Sequence, residues 1–126
     1  MKDKDTSPVR QGDIKPARQG EIWLADLNPV VGKEQRGYHP VVILSGNMLN
    51  RHLPLVFATP LTTRIKRYKG NPIIMPEPGN GLAEPSELLV FHFRSMSRER
   101  LVKKIGTVRP SQVIEAIKTL NDLIRF

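Results

Sequence analysis

Residues Gly20 to Ser45 constrain the fold more than any other part of the chain. Ile22 and Leu24 alternate with Trp23 and Ala25, the period-2 signature of a strand with two distinct faces. Asn28-Pro29 breaks that pattern and predicts a polar loop from Val30 to His39. After Pro40 an apolar run resumes as a second, buried strand. The loop carries Lys33, Glu34, Gln35, Arg36, Tyr38 and His39. Held between two well-specified strands, it is where a small β protein places a binding or catalytic surface.

The remaining chain continues the same pattern. Gly46 to His52 predicts a polar loop with a short helical turn, and Leu53 to Leu61 a buried strand whose end at Pro60 lies at an edge or bend, since proline cannot donate to a ladder. Thr62 to Gly70 is a strongly basic loop and Asn71 to Pro76 a short strand. Glu77 to Pro85 is irregular, Ser86 to Ser95 a further strand, Ser97 to Leu101 a helical turn and Lys104 to Val108 a last short strand. The period then changes: Val113, Ile114, Ile117, Leu120, Leu123 and Ile124 recur at helical spacing, with Ser111 as the expected N-cap. These elements predict a mainly β (α+β) fold: a small twisted antiparallel sheet or barrel with a C-terminal amphipathic helix laid against it.

Charge and composition then narrow the partners. Lys and Arg number 20 against 12 Asp and Glu, a net charge of +8. The first 18 residues hold 5 basic and 3 acidic side chains, so most of the excess lies in the part expected to fold. A polyanionic partner follows, nucleic acid or an acidic protein. Residues 1–18 have only Val9 and Ile14 as sizeable apolar side chains and are expected to form a disordered leader, with one domain over 19–126. The absence of Cys excludes disulfides and thiolate chemistry. No apolar run approaches a membrane span or a signal peptide core, so the expectation is a cytoplasmic protein with no membrane partner.

The same residues limit the chemistry. His39, His52 and His92 show no metal-ligand spacing, so neither a metal nor another cofactor is expected. Gly79-Asn-Gly81 lacks the rest of a phosphate loop, and there is no serine nucleophile elbow. Metal-free RNA cleavage stays open. The 2′-hydroxyl attacks its own phosphate, so the protein supplies only a proton acceptor, a proton donor and fixed positive charge. His39, His92 and Arg94, with the run Arg64-Ile-Lys66-Arg67-Tyr68-Lys69, contain those groups. Tyr38 and Tyr68, beside Lys and Arg, are of the type that stacks bases. Trp23 reads as core.

The run Gly20-Glu-Ile-Trp-Leu-Ala-Asp-Leu-Asn-Pro, followed by Val-Gly-Lys-Glu-Gln-Arg-Gly-Tyr-His-Pro-Val-Val-Ile-Leu-Ser45, resembles the opening of the MazF/PemK toxins of bacterial toxin–antitoxin pairs. The resemblance continues through Thr59-Pro-Leu-Thr62, Gly81-Leu82, Ser86-Glu-Leu-Leu-Val90, Arg94-Ser95 and Arg100-Leu101 into the terminal helix. It implies a homodimeric, SH3-like small antiparallel β barrel. It also implies a metal-independent endoribonuclease that cuts single-stranded RNA at short sequences and is inhibited by an antitoxin with an acidic C-terminal segment.

Carried over by position, the family's catalytic threonine matches Thr62, and its catalytic arginine falls at His39. The loop Glu-Gln matches Glu34 and Gln35, and a common Asp-Gln pair has become Phe91-His92. The resemblance thus implies His39 as acid/base and Thr62 as a hydrogen-bond partner of the phosphate or attacking hydroxyl. Lys33, Gln35, Arg36, Arg64, His92 and Arg94 would hold RNA, with Glu34 ordering the loop. An imidazole, with a pKa of about 6.5, shuttles protons near neutrality better than guanidinium but clamps an anion less well. Two alternatives remain at this level: a gyrase poison of the kind found in CcdB-related toxins of the same barrel, and a degenerate member that only binds RNA or antitoxin.

Overall fold

The structure is a computed structural model describing residues 16–29 and 37–125. The loop residues Lys33, Glu34, Gln35 and Arg36, and residues 1–15 of the expected leader, lie outside the described residues. In chain order the elements are β1 (Glu21–Asp26), β2 (Tyr38–Ile43), α1 (Asn47–His52), β3 (Leu55–Thr62), β4 (Ile73–Ile74), β5 (Ser86–Leu88), β6 (Arg94–Ser97), β7 (Leu101–Thr107) and α2 (Pro110–Ile124). All pairings among them are antiparallel, in the order β4-β5-β3-β2-β1-β7, and β6 also pairs with β3. The register of β1 on β7 shifts twice, between Ile22 and Trp23 and between Leu24 and Ala25. Such bulges increase local twist and bend the sheet, giving a half-barrel with a C-terminal helix.

Both faces of the central strands are buried. Ile22, Val42, Leu44, Leu61, Ile74, Leu88 and Val90 form one cluster, closed by Val113 and Ala116 of α2. Trp23, Ala25, Val41, Ile43, Val56, Ala58, Met96 and Leu101 form another. The alternation in β1 therefore separates two apolar surroundings rather than core from water. Trp23 is core, as its place in the strand predicts. Its Nε1–H donates to Glu21 Oε1 at 2.9 Å, and the same oxygen accepts the Arg18 N–H at 2.8 Å. Ala17 is buried beside Trp23, so packing is in place from Ala17 onward.

Two sequence expectations need correction. The single strand predicted over Ser86 to Ser95 is broken into β5 and β6 by a 3-10 turn at Val90–His92. The cause lies in β3, against which both halves pair: β6 takes Leu55 to Ala58 and β5 takes Leu61 and Thr62. Pro60 stands between them with no N–H to extend the ladder, and its carbonyl accepts the Leu89 N–H at 2.9 Å instead. Pro60 thus stands inside β3, between its pairings with β6 and β5, and not at the strand's end.

The second correction concerns α2. Its N-cap is Arg109, not Ser111, because Pro110 is pre-set for the first helical position. The Arg109 N–H donates to the Gln112 side chain at 2.9 Å. Val113, Ala116, Ile117 and Leu120 face the sheet, whereas Ile114, Leu123 and Ile124 remain exposed.

Candidate nucleic-acid interface

β1 and β2 are joined through the long polar loop, and the described ends of that loop are tightly tied. The Leu27 N–H donates to the Gly37 carbonyl at 2.9 Å. Asn28 donates from its side-chain amide to Asp26 at 2.7 Å. A Cβ at Gly37 would collide with the Asn28 side chain, which would have to give up its place against Asp26. Arg100, from the turn before β7, donates from Nη1 to the carbonyls of Asp26 at 2.9 Å and Asn28 at 2.6 Å. This anchor was not legible in the sequence, because Arg100 lies more than seventy residues from the carbonyls it holds.

β2 then leads from Gly37 into His39, which is paired with Ala25 and exposed. Side chains two apart in a strand share a face, so His39 lies on the face of Val41. Both line a cavity of about 330 Å³ together with Leu27, Pro60, Leu89, His92, Arg94 and Met96. The 3-10 turn supplies His92 and the start of β6 supplies Arg94. The break between β5 and β6 is thus what brings His92 and Arg94 to one cavity with His39. A second cavity, of about 390 Å³, shares Arg94 and Met96 and extends past Ser95 and Ser97 to Arg100.

Thr62 and Arg64 are placed differently. Neither lines the cavity that holds His39. Thr62 ends β3, two residues beyond the cavity-lining Pro60 on the same strand face, and its Oγ1 accepts the Arg64 N–H at 3.1 Å. It therefore initiates the basic loop. Arg64, Lys66, Arg67 and Lys69 of that loop are all exposed.

One buried carboxylate holds this loop in shape. Glu87 of β5 is fully buried. Its Oε1 accepts the backbone N–H groups of Lys66 and Arg67 at 2.7 and 2.9 Å, and its Oε2 accepts those of Tyr68 and the Asn71 side chain, both at 3.0 Å. Burial works against the charged form. The Asn71 amide and the three backbone donors outweigh it and hold the carboxyl below the usual carboxylate range. Arg67, at φ 59°, sits in the left-handed region, a strained conformation that the carboxylate holds in place. At its far end the loop is fastened to α2 by the Thr119 hydroxyl, which donates to the Gly70 carbonyl. Sequence reasoning missed Glu87, although an acid amid the apolar residues of Ser86 to Val90 was the signal available.

Among the described residues no group of three or more His, Cys, Asp or Glu side chains is placed to hold a metal ion. None of the described helices is long and apolar enough to cross a membrane.

The antiparallel half-barrel, its terminal helix and a cationic cavity beside a basic loop define a small β protein built to face a polyanion. Residues 18–124 match the family model described as PemK-like, MazF-like toxin of type II toxin-antitoxin system, and the chain belongs to that family. It is 31% identical over 105 residues to "Endoribonuclease MazF" of Staphylococcus epidermidis, a match spanning 82% of this chain and 88% of that protein. Crystalline MazF of Deinococcus radiodurans superposes with a TM-score of 0.71 at 25% identity, covering 89% of this chain and 99% of that one. MazF in the MazE–MazF complex of the same organism gives 0.68 at 23% identity, covering 89% and 98%. These likenesses give no support to the gyrase-poison alternative.

Proposed function

We propose that this chain is the toxin of a type II toxin–antitoxin pair and a metal-independent, sequence-specific endoribonuclease acting on single-stranded RNA. The observation that carries the reading is the meeting of His39, His92 and Arg94 in one cavity beside a basic loop, in a chain of the same family as Endoribonuclease MazF. The RNA 2′-hydroxyl attacks the adjacent phosphorus, and the bond from phosphorus to the 5′-oxygen breaks. The products are a 2′,3′-cyclic phosphate and a free 5′-hydroxyl. One proton leaves the 2′-hydroxyl and one must reach the 5′-oxygen. His39 handles the proton transfer, supported across the cavity by His92, while Arg94 neutralises the charge gathering on the phosphate.

In this reading Thr62 orients the substrate from the rim, through the hydroxyl that also starts the basic loop. Arg64 holds the RNA backbone together with Lys33, Gln35 and Arg36 of the β1–β2 loop, and Glu34 serves to order that loop. The protein works as a cytoplasmic homodimer, and an antitoxin with an acidic C-terminal segment competes for the same cationic surface. The growth inhibition that defines such a toxin then follows from loss of mRNA.

The test is incubation of the purified chain with a long single-stranded transcript in EDTA, followed by mapping of the ends. Discrete fragments ending in cyclic phosphate are expected. Intact RNA at every pH, with salt-sensitive binding retained, overturns the enzymatic reading and leaves a protein that only binds nucleic acid.

A further inference from the structure

Beside the cavity three rings stand in a row. Tyr68 meets Phe91 edge-on, with centroids 5.1 Å apart and planes at 83°. Phe91 meets His92 at 4.8 Å and 60°. Tyr68 and Phe91 keep 49% and 45% of their surface in water. Two large rings half-exposed side by side are a feature that folding alone does not call for. One end of the row, His92, lines the cavity that holds His39. The other end, Tyr68, belongs to the loop bearing Arg64, Lys66, Arg67 and Lys69.

From this arrangement we infer that Tyr68, Phe91 and His92 form a base-stacking ledge, which takes an unpaired RNA base flanking the phosphate that is cut. The inference rests on the endoribonuclease reading and adds a subsite to it. Single-stranded RNA needs two things of a surface: cations along its backbone and aromatic faces for its bases. Here the cations sit on the loop and the rings run from that loop to the cavity. The ledge is also organised before RNA arrives. Glu87 holds the Tyr68 N–H at 3.0 Å. The 3-10 turn holds Phe91 and His92 through the bonds from His92 N–H to the Leu89 carbonyl and from Phe93 N–H to the Val90 carbonyl. Ordering on binding therefore costs little. A second copy of this chain is the poorer occupant, since it would bring its own cations against the same basic loop.

The test uses the full chain, a 2′-O-methyl oligonucleotide that cannot be cut, read by fluorescence anisotropy, and the matching RNA for kinetics. Phe91→Leu and Tyr68→Leu keep apolar bulk but remove a π face. Each is expected to weaken oligonucleotide binding roughly 5- to 150-fold and to raise KM. The salt dependence of binding keeps its slope, because no cation is lost. Phe91→Trp, which retains a ring, returns affinity to within a few-fold of the parent. Binding by both leucine variants within twofold of the parent, while the parent cuts RNA, overturns the ledge and leaves the endoribonuclease reading intact. A parent that neither binds nor cuts RNA sinks both. A change in mass by light scattering in either leucine variant overturns the ledge in favour of a contact between copies.

Discussion

Glu87 on β5 accepts the main-chain N–H of Tyr68 at 3.0 Å, so a buried strand of the half-barrel sets the position of an exposed ring in the basic loop. Three further donors converge on the same carboxylate, and none of them is a cation side chain. The charged loop is thus shaped by backbone geometry, which leaves its Arg and Lys heads free to face a polyanion.

Glu87→Gln keeps the shape of the side chain but replaces one acceptor oxygen with a donor pointed at other donors. The expected cost is about 1–3 kcal/mol of stability, since buried N–H groups lose their acceptor. Cleavage should also fall, through a higher KM. Denaturant unfolding and RNA kinetics on one preparation check both effects; unchanged values in both would remove Glu87 as the organiser of the loop.

Acid should erode the same contribution. The Glu87 carboxyl is held below its ordinary value of 4.5 in the folded chain. Its stabilisation is therefore present above the unfolded value and is lost as pH falls below 4.5 towards the lower folded value. Glu21 shifts in the same direction. Burial opposes that shift, but the bonds from Trp23 and Arg18 and the partner Lys104 at 3.1 Å outweigh it. Urea midpoints between pH 6 and 3 should fall for the parent and fall less steeply for Glu87→Gln.

His39→Ala should abolish cutting while RNA binding, read by filter retention, changes little. The imidazole supplies proton transfer, and the cations of the loop supply most of the attraction to phosphate. Cleavage at the parent's rate by this variant would exclude His39 from the chemistry.

Arg100→Lys removes the planar guanidinium whose Nη1 bridges two carbonyls, those of Asp26 and Asn28. A lysine ammonium sits on a shorter, more flexible stem and loses more side-chain freedom for each bond it makes there. Stability should drop by roughly 1–2 kcal/mol, and limited proteolysis at the β1–β2 connection should quicken. Protection equal to the parent's would show that the clamp is dispensable.

Arg98 is nearly buried, and among the described residues its Nε and Nη2 have no hydrogen-bond partner. Burial lowers its pKa, the expected direction for a cation removed from water. Arg98→Met should raise Tm by a few degrees, because an apolar side chain of similar length avoids that cost. A fall in Tm would mean that the guanidinium finds an acceptor in the assembled protein.

Strand and helix periodicity was local information, and it survived folding. The alternation at Ile22 to Ala25 marked β1, the apolar run after Pro40 marked β2, and the spacing of Val113, Ile117 and Leu120 marked the face of α2 that meets the sheet. The cationic surplus was equally plain, because charge is a sum over residues and needs no geometry. Proline misled at two places for different reasons. The missing N–H of Pro60 is visible in the sequence, but which neighbour would have used it depends on pairing, so the break between β5 and β6 escaped. Pro110 is a local signal, its ring pre-set for the first helical turn, and it outranks Ser111 as the marker of the helix start.

By itself, then, the order of residues determined the class of fold, the sign of the partner's charge and the family likeness. Tertiary structure alone decided the cavity. His39 and His92 lie more than fifty residues apart in the chain and meet only because β3 carries β5 and β6 on one edge, with a turn between them. It also set Glu87 under the basic loop and Arg100 under the polar one. Long-range partners are selected by packing and by the need to satisfy buried polar groups, and neither leaves a periodic trace along a chain.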